Sequence, residues 1–409
     1  MAERTINDYL PIVGKNIIEE LLIFGKKLKG KTVQHINSTS VGGGVAEILH
    51  MIVPLMNELG VKTNWDVIKA GEDFFYVTKA FHNALHGKKV EINSRMYEIF
   101  LNYSSRHRAE MNLYGDIIFV HDPQPIGLID KKEEIGKKWI WRCHVDTTSP
   151  NLEVWNFLKI FIEKYDVSIF SAPAFSRELK IKQIMIPPSI DPLSDKNKEL
   201  DKEVCEKTLK DFGVDPSRPV ITQISRFDYL KDPIGVIEAY KMAKRYVDCQ
   251  LVLAGGRAED DPEGREVLKK VKDAASDDPD IHILELPPTS HLEINALQRG
   301  STIILQKSIR EGFGLTVTEA LWKGKPVIGS AVGGIPLQIM HNITGMLVHS
   351  IEGTAYAIRY LLANPDFAAK LGENGREHVR RNFLLTRHLK DYLLLFLYLD
   401  HIGETFIRI

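Results

Sequence analysis

Lys31-Thr32-Val33-Gln34-His35-Ile36-Asn37 runs into Ser38-Thr39-Ser40-Val41-Gly42-Gly43-Gly44, and the seven residues before Ser38 read as a strand entering a glycine turn. A helix follows at once, because Val45, Ile48, Leu49, Ile52, Met56 and Leu59 recur at helical spacing until Gly60. Pro54 falls inside this run and predicts a kink or break there. Val61-Lys62-Thr63-Asn64-Trp65-Asp66-Val67 then alternates like a second strand, which completes a βαβ unit. Further strands are predicted at 116–121, 139–144 and 167–171, giving a parallel sheet with helices on both faces.

The pattern changes near Ile184-Met185-Ile186-Pro187-Pro188-Ser189-Ile190-Asp191-Pro192, a proline-dense stretch that leads into the charged segment 195–207 and reads as a hinge. A second series of strands begins at Val220-Ile221-Thr222-Gln223-Ile224. It continues at 251–256, 281–284, 301–305 and 327–329, and closes with helices beyond Ala355. The chain is therefore α/β, with two Rossmann-like domains. The first is expected over 1–188 with a returning C-terminal helix at 387–409, and the second over 189–386.

With 409 residues, 44% of them hydrophobic and 26% charged, the chain is long enough for two cores. A formal net charge of -1 argues against nucleic acid as a main partner, since phosphate neutralisation needs a basic surface. The N-terminus opens on charges, and the longest apolar run, 392–399, falls far short of the ~20 residues that a membrane span needs. Cys143, Cys205 and Cys249 are widely spaced and suggest neither a disulfide framework nor a zinc site, so a reducing cytoplasm is the expected compartment. A homodimer, the commonest symmetric assembly, is the expected oligomer.

The stretch that bears most on function is Glu311-Gly312-Phe313-Gly314-Leu315-Thr316-Val317-Thr318-Glu319. It follows the strand Ile303-Ile304-Leu305, and Leu315 to Trp322 reads as a helix stopped by Gly324 and Pro326, so Glu311 sits on a loop and Glu319 within the helix. Gly312 and Gly314 let the backbone pass close to a ligand and leave the amides at the helix start free to donate. The two carboxylates can accept from sugar or ribose hydroxyls. As isolated glutamates, a dipole cap and a solvated helix residue would explain them equally well.

Two glutamates seven residues apart around Gly-Phe-Gly, followed by Pro326-Val327-Ile328-Gly329 and Gly333-Gly334, resemble the retaining glycosyltransferases of family 4. The resemblance covers nearly the whole chain and implies the GT-B fold, with parallel sheets facing across a cleft. It also implies that Glu311 binds the transferred hexose, that Glu319 binds the ribose, and that Gly312, Phe313, Gly314 and Leu315 line the donor. Where many members carry an acidic residue after the glycine pair, Gly334-Ile335-Pro336-Leu337-Gln338 has none.

Arg226 and Lys231 follow the first strand of the second domain, at the carboxyl edge where ligands bind in open α/β sheets. Such a pair is commonly a surface ion-pair patch, but the resemblance assigns both to the diphosphate of the donor, with Ser225 in place of the usual glycine. Gly43 and Gly44 lie at the turn from strand to helix and suit an anion. Glu47 stands where a dinucleotide fingerprint needs its third glycine, while the family's first-domain glycine loop meets donor phosphate or acceptor.

His144 ends the predicted strand Trp139-Ile140-Trp141-Arg142-Cys143-His144, in a position similar to the family histidine that touches the transferred sugar. His121, Asp122 and Gln124, in His121-Asp122-Pro123-Gln124-Pro125, are the candidate acceptor ligands. Together with Trp141-Arg142-Cys143-His144-Val145-Asp146, this segment is similar to the branch of the family that makes or phosphorolyses trehalose. The function implied is retaining transfer of glucose from ADP-, UDP- or GDP-glucose to glucose, forming trehalose and running in reverse. Glu311, His144, Arg226 and Lys231 would be the catalytic residues.

The alternatives are phosphorolysis of trehalose, another hexosyl transfer of family 4, a non-catalytic sugar-nucleotide sensor and a sugar-nucleotide epimerase. No cofactor is required; magnesium can accompany the diphosphate, but no protein ligands for it can be named. No hydrolase elbow, zinc-binding helix or Walker loop occurs.

Overall fold

The computed structural model describes residues 4–40, 44–256 and 262–404. The chain forms two compact units, residues 1–188 with 385–409, and residues 189–384.

The first unit is built on a parallel sheet of β1 (Thr32–Asn37), β2 (Lys62–Val67), β3 (Ile117–His121), β4 (Lys138–Arg142), β5 (Val167–Phe170) and β6 (Lys182–Met185), in the order β2-β1-β3-β4-β5-β6. β3 is buried along its whole length, as a strand covered on both faces must be. The order reverses between β1 and β3, the kind of switch point at whose carboxyl end open α/β sheets bind ligands.

The predicted break at Pro54 does not occur: the helix Gly44–Glu58 runs through it. The hydrogen bond that proline forfeits would go to the carbonyl of His50, an exposed residue to which water has access. β4 also ends two residues earlier than expected. Cys143 still donates to Ile169 of the neighbouring strand at 2.9 Å, but the His144 amide turns away to a side chain described below.

The helix Leu385–Asp400 belongs to this first unit and is tied to the sheet by a fully buried arginine. One terminal nitrogen of Arg142 lies 3.1 Å from Nε2 of His388 and donates to the Tyr392 hydroxyl at 2.5 Å, while the other donates to the Ile186 carbonyl at 3.0 Å. Tyr392 also packs on Phe119 of β3, ring centroids 5.0 Å apart.

The second unit repeats the plan with β7 (Val220–Ile224), β8 (Gln250–Gly255), β9 (Ile281–Glu285), β10 (Ile303–Gln306), β11 (Val327–Ser330) and β12 (Met346–Val348), in the order β12-β11-β10-β7-β8-β9, again all parallel. Alternation along its strands divides two cores. Ile221, Leu251, Leu253, Ile303, Leu305 and Ile328 face one cluster, and Val220, Ile224, Val252 and Ala254 face the other. Here the reversal lies between β7 and β10, and the loops leaving those strands carry Arg226, Lys231 and Glu311.

Candidate active site

In the second unit a glutamine stitches the two loops together. Gln223, on β7, donates from its amide to the Lys231 carbonyl at 2.9 Å, and its oxygen accepts from the Lys307 amide at 2.9 Å. The Ile309 amide adds a direct bond to the Leu230 carbonyl at 2.8 Å. Asp228 accepts from the Leu230 amide at 2.7 Å and Asp232 caps the helix Pro233–Lys244, so the short segment bearing Lys231 is fixed at both ends. Lys307 forms an ion pair with Asp232.

This frame places Lys231 Nζ 2.6 Å from Glu311 Oε2, a charge-assisted contact between side chains that are 20% and 9% exposed. The same oxygen accepts from Gln306 Nε2 at 3.2 Å and Ser308 Oγ at 3.1 Å. Glu311 Oε1 has no partner among the described residues, so one oxygen anchors the carboxylate and the other is left to accept from a ligand. Gln306, Ser308 and Gln223 were not singled out in the sequence. Polar residues at strand ends carry no motif, and only the strand order reveals what they face.

Gly314, in the left-handed region at φ +83°, starts the helix Leu315–Trp322 and lets the chain fold tightly against the Glu311 side chain. Thr316 donates to Gln306 at 2.8 Å, fixing the helix start beside the glutamate loop. Phe313 is buried, whereas Gly312 and Leu315 lie along the chain between the two glutamates. Glu319 is only 5% exposed, and Lys323 one turn on donates to its carbonyl at 3.2 Å. Burial lowers the Lys323 ammonium to about 7, with the charge of Glu319 acting in the opposite direction. Arg226 is different: its side chain is 61% exposed and 3.5 Å from Asp228, so it is free to swing toward an anion.

In the first unit the candidate residues cluster at the ends of β3 and β4. Asp122 follows β3 with φ +62°, a conformation that aspartate tolerates better than most residues. Its amide donates to the Arg142 carbonyl at 2.8 Å, and its Oδ1 accepts from the His144 amide at 2.8 Å. Trp141 Nε1 donates to its carbonyl at 3.0 Å. Asp122 is thus the corner that holds His144 beside His121. Its Oδ2 has no partner among the described residues, and Gln124 Oε1 is buried without one.

His121 does not meet the expectation that it lies open to a ligand. Its ring is buried, with Nε2 3.0 Å from His35 Nδ1 and Nδ1 3.1 Å from His144 Nε2, so it has no nitrogen left to offer. His144 is partly exposed, and its Nδ1 is without a partner among the described residues. Gly43 lies outside the described residues, and Gly44 is the first residue of the helix Gly44–Glu58. Among the described residues no group of acidic, histidine or cysteine side chains could hold a metal ion, and no helix is long and apolar enough to cross a membrane.

Burial pushes the Asp122 carboxyl up to about 6, against the lowering effect of the His144 amide and of Arg142. A carboxyl raised above its ordinary 3.8 contributes stability that is fully present below about 4 and is lost as the pH rises through about 6. Asp122→Asn keeps an accepting oxygen and tolerates the same φ, so the variant should gain on the parent between pH 4 and 7. Melting curves across that range test this, and parallel curves would count against a buried, protonatable corner.

Comparison with known proteins bears on what these two clusters serve. Residues 35–177 match the family described as trehalose synthase, N-terminal domain, and residues 205–378 match glycosyl transferases group 1. The trehalose synthase of Thermococcus litoralis is 46% identical over 396 residues, covering 95% of this chain and 96% of that protein. That of Rubrobacter xylanophilus is 43% identical over 404 residues, covering 97% of each. A trehalose phosphorylase from Grifola frondosa is 31% identical, with 91% of this chain matching 58% of that protein. Among solved structures, the α,α-trehalose 6-phosphate synthase of Burkholderia multivorans superposes with a TM-score of 0.73 at 15% identity, over 91% of this chain and 99% of that one. The fold is therefore GT-B. With both halves matched in order and relatives this similar along their full length, the chain belongs to the trehalose synthase family of glycosyltransferases.

Proposed function

We propose that the chain transfers glucose, with retention, from a nucleoside diphosphate glucose to free glucose, forming trehalose, and that it runs the reaction in both directions. The observation that carries this reading is Glu311, anchored through Oε2 and open at Oε1 beside Lys231, in a chain that aligns over 95% of its length with a trehalose synthase. Glu311 Oε1 would accept from hydroxyls of the transferred glucose, and Glu319 from the ribose. Lys231, Arg226 and the free amides at the start of the helix Leu315–Trp322 would carry the charge that grows on the departing diphosphate.

The bond from the anomeric carbon to phosphate oxygen breaks as the bond to the acceptor hydroxyl oxygen forms, and the acceptor's proton passes to the leaving phosphate oxygen. Asp122 Oδ2, His144 Nδ1 and the buried Gln124 Oε1 are unpartnered polar atoms on loops leaving the first sheet, suited to sugar hydroxyls. Gly43 and Gly44 would meet donor phosphate or acceptor. Magnesium, if it accompanies the diphosphate, would be held by the nucleotide, and a homodimer in the cytoplasm is the setting we expect.

Incubating the protein with trehalose and UDP, ADP or GDP should release glucose and form the corresponding nucleoside diphosphate glucose. Product from trehalose and inorganic phosphate alone would instead favour phosphorolysis. Glu319→Ala should weaken nucleotide-sugar binding by about 1.5–3 kcal/mol, the worth of a charge-assisted hydrogen bond. Because Glu319 is buried beside Lys323, calorimetric titration should be paired with a melting curve. Unchanged affinity in a folded variant would remove Glu319 from the ribose.

A further inference from the structure

His35, His121 and His144 form one hydrogen-bonded chain of imidazoles: His35 Nδ1 to His121 Nε2 at 3.0 Å, then His121 Nδ1 to His144 Nε2 at 3.1 Å. It begins on β1, crosses β3 and ends on the partly exposed ring after β4. His35 and His121 are buried, and the His35 ring packs against Phe119 and Tyr392 with Nε2 left without a partner. All three rings are held neutral, mainly by burial, and His35 is lowered to about 3.

Three neutral imidazoles in a row carry one hydrogen each, so the chain can run in only two senses. If His144 donates inward, then His121 donates to His35, and the hydrogen of His35 must sit on Nε2 as a buried N–H with nothing to receive it. If His35 donates outward, the orphan at that end is a lone pair. Buried N–H groups are left unpaired more rarely than buried acceptors, and His35 Nε2 is the buried atom without a partner. The second sense is therefore preferred, and it places a hydrogen on Nδ1 of every ring.

We propose that His35 and His121 are positioning residues that fix His144 in the Nδ1–H tautomer, so that its open nitrogen donates to an oxygen of the bound sugar and cannot act as a base. This rests on the reading of His144 as a sugar contact. It gives that contact a direction, and it leaves the acceptor's proton to the departing phosphate oxygen.

Long-range proton–nitrogen correlation spectra of the full chain labelled with 15N at histidine report the tautomer of each ring, and His144 is identified by the signal lost in His144→Gln. The Nδ1–H pattern for His144 is expected in the unmodified protein; an Nε2–H or doubly protonated ring there would overturn the proposal whether or not any variant folds. His121→Phe should return His144 to Nε2–H and slow transfer roughly tenfold while nucleoside diphosphate affinity is retained. His144 remaining Nδ1–H in that variant would show that the chain does not select it. Unchanged turnover in His144→Gln would overturn the sugar contact and the donor role with it, an outcome distinct from a wrong tautomer.

Discussion

Replacing Gly333 by alanine should abolish transfer and cost the second unit about 3 kcal/mol or more of stability. Gly333 sits at φ +55°, and a Cβ there would lie 1.6 Å from the carbonyl oxygen of Glu311. The obstruction is backbone, which no side-chain rotation can clear. Next to it, the Gly334 amide donates to the Gly312 carbonyl at 2.9 Å, so the two glycine segments are pressed together and the clash has to displace the loop that aims Glu311. Turnover together with a melting curve checks this. Parental values for both would mean that the glycine pair does not brace the glutamate.

The second large effect is expected from Glu311→Gln, which keeps the size of the side chain and removes its charge. Turnover should fall about 10²-fold or more, in the range found when one preorganised polar contact to a transition state is lost. Affinity for free nucleoside diphosphate should change much less, since the open oxygen Oε1 is assigned to the hexose. Lys231 would keep its place through the Gln223 bond to its carbonyl, so a folded site with an unsupported sugar is the expected product. Titration with nucleoside diphosphate set against steady-state rates separates the two quantities. Equal loss of both would show that Glu311 serves the nucleotide and not the sugar.

The strands of both sheets were largely legible because parallel strands covered on both faces are continuous apolar runs, as in Val220–Ile224 and Ile303–Gln306. The edge strands Lys182–Met185 and Met346–Val348 were not. Each is short, and the first merges into the proline-dense stretch that reads as a hinge. The helices Glu72–Leu85 and Ser94–Glu110 are likewise not marked by any motif that bears on function.

In the site, the Glu311 stretch and the Arg226 to Lys231 segment stood out because glycines and charges at fixed spacing are local signals. The pairing of Lys231 with Glu311 joins residues eighty positions apart and follows only from β7 lying beside β10. His35 shows the same limit. Within its strand it is one of several polar residues, with Thr32, Gln34 and Asn37, and its role appears only once β1 and β3 are known to be neighbours.

The helix Leu385–Asp400, counted with the first unit, has a consequence for how the protein is made. Synthesis runs from the amino end, so residues 1–188 emerge well before the segment that covers Phe119 and receives Arg142. At roughly 5–20 residues per second, the intervening stretch keeps that surface waiting for on the order of 10–40 s. During that time a buried-to-be guanidinium and an apolar strand face are open to unwanted association. A gene rearranged to encode the 385–400 segment ahead of the first sheet would shorten this vulnerable interval.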